Sequence, residues 1–350
     1  MGGTEDLPFG LATSVGAVPF SSGSGAVRSA VQKTLTLQPN FPTAPTSGAV
    51  TYSLLAQAVA GVAGVEVLPP GLLRVDPAAD PSSVLHRPVS VDGVAHAPFR
   101  EFVSALTPHA GRVGAEFVGV RVGVLGPVTL SLALRTAGLP AETSLELATK
   151  LVERRAVAMV DHVRSVLPSC VVALVMNEPG LIGAMHPTFP LDPSQVLSML
   201  SPVVTAVDTT GRSEDMLIGV HVPGRTDWRT IICSGVSLIS APADDGVLGW
   251  AEPLAQFFDN GGRVAWGAVP VDQPLGSGEE LLWRRLSSLW CRLVGEGLDP
   301  LLMRSRSLTS PVDGLGHFGP MQAELALGLV ESLSIRVRRQ AIGARLSLGA

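Results

Sequence analysis

The chain has 350 residues, with 25 Lys+Arg against 30 Asp+Glu and a formal net charge of −5. Hydrophobic residues make up 46% and charged residues 16%, ample apolar material for a large core, which excludes intrinsic disorder as the overall state. The mild acidity and the absence of any Lys/Arg block argue against a nucleic-acid partner, which needs many phosphate-neutralising cations on one face.

In chain order, residues 11–18 are a short apolar, strand-like run ending at Pro19. A Ser/Gly loop over 21–25 leads into helical spacing over 26–37. Residues 41–45 read as extended, because Pro42 and Pro45 bias their neighbours away from the helix. A helix of small residues is predicted over 52–62, and the proline-rich stretch 67–98 is read as a long surface excursion. Residues 117–125, FVGVRVGVL, predict a strand stopped by Gly126-Pro127. Helices are predicted over 129–137 and 141–167, the second with regular i, i+3, i+4 periodicity. The continuous apolar run 170–176, CVVALVM, fits a strand buried on both faces, as in a parallel sheet. Helix and strand then alternate: helix 192–207, strand 216–222, helix 225–233, strand 235–239, helix 248–260, strand 263–269, helix 278–296, strand 305–309 and a closing helix over 318–341.

Strand candidates therefore centre near Thr13, Phe41, Val120, Val172, Ile218, Ser237, Ala265 and Ser307, with 64–68 an alternative for the second. Alternation of this kind implies right-handed crossovers and a parallel sheet. Eight units in a chain of this length predict a single-domain (β/α)8 TIM barrel over 1–350, rather than an open Rossmann sheet. No G-x-G-x-x-G, Walker A, H-E-x-x-H or G-x-S-x-G motif occurs, which argues against nicotinamide, P-loop, zincin and hydrolase chemistry. The apolar stretches 54–65 and 117–134 fall short of the ~20 residues of a membrane span or are interrupted, so no membrane partner is expected. The polar, acidic start of the chain is unlike a secretory signal. Cys170, Cys233 and Cys291 are far apart with no Cys-x-x-Cys, which points to a reducing cytoplasm and to free thiols buried as small hydrophobes.

In a TIM barrel the chemistry sits where strands end. Glu178, after seven apolar residues, should face the mouth and bind an ammonium or act as an acid/base; the alternative is that it caps a loop or pairs with an arginine such as Arg121. His221, at a strand end, is either a metal ligand or proton carrier, or a hydrogen-bonded core residue. Asp313 before Gly314 either belongs to the site or sits in a turn. Gly23-Ser24-Gly25 could cradle a phosphate but equally makes a plain connection. Trp283 and Trp290, seven apart on one helix, read as packing.

These strand ends, taken together, resemble the barrel domain of cobalamin-independent methionine synthase and its short single-barrel relatives. The resemblance rests on residues 12–19 (ATSVGAVP), the proline-bearing 37–45, 123–130 (GVLGPVTL), Asn177-Glu178-Pro179-Gly180-Leu181, His221 and Asp313-Gly314-Leu315. It implies a cytoplasmic TIM barrel of methionine biosynthesis that moves a methyl group from a folate or corrinoid donor to a thiol, usually homocysteine. In that family a zinc held by His, two Cys and a Glu makes the thiol a thiolate, since a free thiol is a poor nucleophile at neutral pH. Residue by residue, the family's His-x-Cys is here His221-Val222-Pro223, its zinc-binding glutamate falls near Ser240, and its last zinc cysteine is Asp313. Ile-Gly-Ser becomes Val15-Gly16-Ala17, and Asp-Glu-Pro becomes Asn177-Glu178-Pro179.

The resemblance thus implies Glu178 and His221 as catalytic residues, and Gly16, Ala17, Asn177 and Glu178 as substrate-binding ones. His221 and Asp313 are left as a remnant, degenerate metal site, holding zinc weakly or not at all; Cys233, a dozen residues past His221, does not complete it. The partners expected are a small-molecule substrate and, for the donor, a corrinoid protein. Two other readings stay open: a catalytically silent barrel that binds a small molecule or partner protein, and a zinc-independent lyase or decarboxylase using Glu178 and His221. Uroporphyrinogen decarboxylase shares this barrel type, but its arginine-rich N-terminal motif is absent, with Arg28 standing alone.

Overall fold

The long apolar runs become the central strands of the computed structural model, which describes residues 4, 7–19, 41–47, 50–109, 118–210, 213–272, 275 and 278–347. In chain order the strands are β1 (Leu11–Ala12), β2 (Ala17–Val18), β3 (Thr46–Ser47), β4 (Val65–Leu68), β5 (Leu72–Val75), β6 (Gly119–Leu125), β7 (Val171–Asn177), β8 (Met216–His221), β9 (Leu238–Pro242), β10 (Arg263–Val269) and β11 (Ser307–Pro311). The α-helices are α1 (Leu54–Ala58), α2 (Ala97–Leu106), α3 (Pro127–Thr136), α4 (Ala141–Val166), α5 (Pro193–Asp208), α6 (Trp228–Cys233), α7 (Ala251–Asp259), α8 (Glu279–Gly295), α9 (Pro300–Ser305) and α10 (Pro320–Ser347).

Seven strands form one parallel sheet in the order β1-β11-β10-β9-β8-β7-β6. The sheet is curled, with helices outside and a second apolar cluster inside. Residue parity sorts the two faces, since successive side chains of a strand point to opposite sides. Val172, Leu174 and Met176 of β7 pack outward with α4 and α5 residues such as Met159, Val160 and Leu200. Val171, Ala173 and Val175 pack inward with Leu11, Phe41, Leu217, Leu238, Ala265 and Leu308. Each of the larger side chains among them, Val, Leu, Met or Phe, contributes roughly 1.5–3 kcal/mol by leaving water.

Eight regular strands were expected, and here the structure differs. The predicted strand 11–18 is broken by Gly16, whose φ of +104° lies where only glycine sits without strain. The predicted strand 41–45 makes a single bridge, Thr43 to Arg121, instead of a ladder. Two backbone bonds accompany it: Arg121 N–H to the Pro42 carbonyl and Ala44 N–H to the Arg121 carbonyl, both 2.8 Å. Prolines 42 and 45 have no N–H to extend the pairing. On its other side this stretch meets the first strand region: Thr46 N–H donates to the Gly16 carbonyl (2.7 Å), and β2 and β3 pair in parallel. Thr43 Oγ1 donates to the Ser14 carbonyl and accepts from Ser14 N–H, both 3.1 Å, and lies 3.2 Å from Thr13 Oγ1. Residues 41–47 therefore lie between the two edges of the sheet.

The excursion after residue 64 holds an antiparallel hairpin, β4 with β5, outside the main sheet. Helix α2 begins at the end of the proline-rich stretch 67–98, and no element is expected from the sequence over the residues that follow it. Its buried Phe99, Phe102, Val103 and Leu106 follow i, i+3, i+4, i+7 spacing. Strand β9 begins three residues later than expected, because Gly235, at φ +90°, still belongs to the end of α6. Trp283 and Trp290 do pack: their rings meet edge-on at 6.3 Å, and Trp266 meets Trp290 at 6.2 Å. Only Cys170 among the cysteines is buried; Cys233 and Cys291 are exposed and all three are free, so the expectation of three buried thiols fails for two of them. Among the described residues no helix is long and apolar enough to cross a membrane. The loop 21–25 and the helix expected over 26–37 lie outside the described residues.

Candidate functional site

The lower part of the sheet's inner face is apolar, whereas its upper part, toward the C-terminal strand ends, is polar. Inward parity places Asn177, His221, Ser240 and Ser310 at those ends, with Thr13 and Thr43 nearby, all of them buried. Asn177 of β7 and His221 of β8 are register partners, and His221 pairs in turn with Ser240 of β9. Three adjacent strands thus end at one level and build this part of the polar layer.

His221 Nδ1 lies 3.0 Å from Ser240 Oγ. Its Nε2 faces Asp313 Oδ1 at 3.6 Å, beyond hydrogen-bond length, and has no other partner among the described residues. Burial holds the His221 pKa below the ordinary histidine value, against the pull of Asp313 and with the help of the Arg121 charge, so the ring is neutral at pH 7. Partial burial works to raise the Asp313 pKa, but the His221 ring and the Gly314 N–H outweigh it and keep the carboxylate ionised. That N–H donates to Oδ1 at 2.6 Å. The Asp313 side chain is half exposed, whereas that of His221 is 3% exposed, so the pair spans the boundary between solvent and the inner face of the curled sheet.

The Gly16–Ala17 corner sits beside the same loop. Leu315 N–H donates to the Ala17 carbonyl at 2.7 Å, and a Cβ on Gly314 would stand 2.5 Å from that of Ala17. The structure therefore gathers Gly16, Ala17, Asn177, His221 and Asp313 on the side of the C-terminal strand ends.

Glu178 is placed differently. It follows the inward-facing Asn177, and its fully buried carboxylate lies under the first turn of α3. It accepts from Val128 N–H (2.9 Å), Thr129 N–H (2.7 Å) and Thr129 Oγ1 (2.5 Å). These are free donors at a helix N-terminus, where a negative charge is favoured. Burial pushes its pKa up to about 7, and the three donors limit the rise. No contact between Glu178 and Arg121 is present; of the two sequence alternatives, the geometry matches capping.

Asn177 is fixed by its amide: Nδ2 donates to the Val124 carbonyl (3.1 Å) and the Val175 carbonyl (3.3 Å), leaving buried Oδ1 with no donor among the described residues. Arg121 is the residue that sequence reasoning mentioned without placing in the site. Val120, Val122 and Val124 pack outward, so Arg121 falls on the inner face of β6 between Gly119 and Gly123. It is 1% exposed, and neither Nη1 nor Nη2 has a partner among the described residues. Burial lowers its pKa to about 9, so it remains charged at neutral pH. The signal was in the sequence: one arginine within a β-branched strand.

The zinc of the resembling family asks for three or more soft or imidazole ligands. Among the described residues no three His, Cys, Asp or Glu side chains converge. Cys170 precedes the N-terminal end of β7 and Cys233 ends α6, both away from the strand C-termini. His221 and Asp313 alone do not fit a tetrahedral zinc.

No family model matches the sequence, and no curated protein matches it. Solved structures do. A methyltransferase from Methanosarcina mazei shares 13% identity with a TM-score of 0.57, covering 94% of this chain and 94% of its own. The Ignisphaera aggregans GH53 catalytic domain aligns over 73% of this chain and 82% of its own, at 14% identity and a TM-score of 0.35. The first likeness places the chain among TIM-barrel-type folds like that of the methyltransferase; the second is too distant to inform the site.

Proposed function

We propose that the chain is a cytoplasmic methyl-transferring (β/α)8 barrel of the methionine-synthase kind, with residues 41–47 in the eighth strand position. It moves a methyl group from a folate or corrinoid donor to a small thiol of the homocysteine class at the mouth around His221. The observation that carries this reading is the His221–Asp313 pair at the strand ends of a fold shared with a methyltransferase.

The residues present favour acid–base chemistry over metal activation. In the tautomer whose Nδ1–H donates to Ser240 Oγ, the neutral His221 ring offers Nε2, 3.6 Å from Asp313, as an acceptor. It takes the thiol proton as sulfur attacks the methyl carbon, and the electron pair of the broken bond stays with the donor. Asp313 then stabilises the imidazolium. Gly16, Ala17 and Asn177 line the acceptor side. Glu178 serves as a positioning residue, pinning the end of β7 to α3.

The test is formation of a methyl thioether from homocysteine with methylcobalamin or a methylated folate, followed by mass spectrometry. Turnover is expected in the native chain, unaffected by a chelator, and reduced at least ~100-fold by His221→Ala. Stoichiometric zinc retained through dialysis by the native chain and lost in His221→Ala overturns the metal-free reading. Absence of turnover with both donors favours the silent barrel.

A further inference from the structure

Three buried polar groups at the upper inner face lack hydrogen-bond partners among the described residues: Nη1 and Nη2 of Arg121, Asn177 Oδ1, and His221 Nε2, which stands 3.6 Å from Asp313. Of these Arg121 is the most demanding. A buried charge left unpaired is several kcal/mol less favourable than one that is paired, so native proteins almost always supply a counterion. The described residues supply none. Glu178, the partner suggested by the sequence reading, is occupied with Val128 and Thr129, and Asp313 stands 3.6 Å from His221 with its side chain half in solvent.

Small residues surround Arg121 on the inner face. Gly123 is the next inward residue along β6, and a Cβ there would come within 2.9 Å of Asn177 Nδ2. The register partner of Gly123 is Val175, that of Arg121 is Ala173, and Gly219 takes the corresponding inward position on β8. Phe41 and Val171 close the inner face below, in the apolar cluster. The guanidinium thus has an apolar floor and a polar roof made of Asn177 and His221.

We propose that Arg121 is the anion receptor of this barrel and binds the carboxylate of a small ligand that enters through the mouth beside His221 and Asp313. A carboxylate matches the observations in three ways. Its single charge balances one guanidinium. Its planar pair of oxygens meets the two free Nη groups in the bidentate geometry that arginine favours. It is also smaller than a phosphate, which would bring a second charge that no other described cation beside it balances. The remaining free atoms then have tasks: Asn177 Oδ1 accepts from an N–H or O–H of the same ligand, and His221 Nε2 faces its reacting end. The proposal deepens the reading of this mouth as a substrate site, but it does not depend on methyl transfer.

The test measures binding only, so a failure of the methyl-transfer assay leaves it decidable. The full chain is heated with increasing acetate, with acetamide as the neutral isostere and with inorganic phosphate as the larger anion. Acetate is expected to raise the unfolding midpoint saturably, and acetamide to have no effect. In Arg121→Met the apparent acetate affinity should fall at least tenfold, with the ligand-free variant folding at least as stably as the native chain. Should Arg121→Met fail to fold, the guanidinium NMR signals of the native chain decide: acetate shifts them and acetamide does not. Equal responses to acetate and acetamide, an acetate affinity unchanged in Arg121→Met, phosphate binding as tightly as acetate, or guanidinium signals indifferent to acetate would each overturn the proposal.

Discussion

Glu178 is a carboxyl group whose site both favours and penalises its charge. Burial penalises it, and the α3 N-terminus with Thr129 favours it, leaving a pKa of about 7 against an ordinary value of 4.5. A pKa raised in the folded state means that this group's contribution is fully present below the unfolded value and is lost as pH rises through the folded one. The native chain should therefore lose stability relative to Glu178→Gln between about pH 4.5 and pH 7, by on the order of 3 kcal/mol. Glutamine carries no charge, and its one carbonyl oxygen can keep the Thr129 donors while its amide nitrogen faces Val128, an offset that is the same at every pH. Urea unfolding of both proteins at pH 5 and pH 8 checks this; parallel pH dependences would show that Glu178 keeps a normal pKa. Comparing the two proteins isolates Glu178 from His221 and His96, whose lowered pKa values act in the opposite sense.

At the scale of elements, the contact between the 41–47 stretch and β6 decides whether the curled sheet has anything between its edges. Phe41 lies directly over Gly119, so a Cβ at Gly119 would overlap its ring and stand 2.8 Å from the Val171 carbonyl. Gly119→Ala should cost about 1–3 kcal/mol through overpacking. Phe41→Leu in the same chain should return part of that loss, since the ring is one of the two obstacles and the carbonyl is the other. A double-mutant cycle read by denaturant unfolding measures the coupling; strictly additive effects would mean that the ring and Gly119 do not touch. The outer layer is anchored in a separate way, by the Trp266–Trp290–Trp283 stack with Arg336 over Trp283 at 5.0 Å, which joins β10, α8 and α10.

Over the whole molecule, the two ends of the chain hold each other. Strand β1 pairs with β11, Ser334 Oγ of α10 donates to the Gly10 carbonyl, and Arg338 Nε donates to that of Phe9 at 3.1 Å. Such long-range closure favours cooperative unfolding, and the thiols report on it. Cys233 and Cys291 are exposed, whereas Cys170 is buried, with its pKa pushed up to about 12 by burial and by Asp215. A thiol reagent should label two groups per native chain at once and the third only at the rate of global opening. Fast labelling of all three would place the start of β7 in a locally opening unit.

The alternation of apolar strands with amphipathic helices was legible from residue order alone, because the periods 2 and 3.6 are local properties of the backbone. The parallel order of β6 to β11 followed from it, and so did the presence of His221 and Asp313 at strand ends. What local pattern could not carry was how the first and second strand regions pair. Gly16, Pro42 and Pro45 interrupt the hydrogen-bond ladder, and only contacts with partners from about 30 to about 300 residues away show where these segments lie. The direction of a side chain after its strand ends was equally hidden. Asn177 turns inward, while Glu178, one residue on, turns to the free N–H groups of α3, because those donors arrive from a segment about 50 residues earlier. Arg121 was readable as an oddity in a strand. That it lies below Asn177 and His221, with no counterion among the described residues, is a property of three neighbouring strands, decided by tertiary structure.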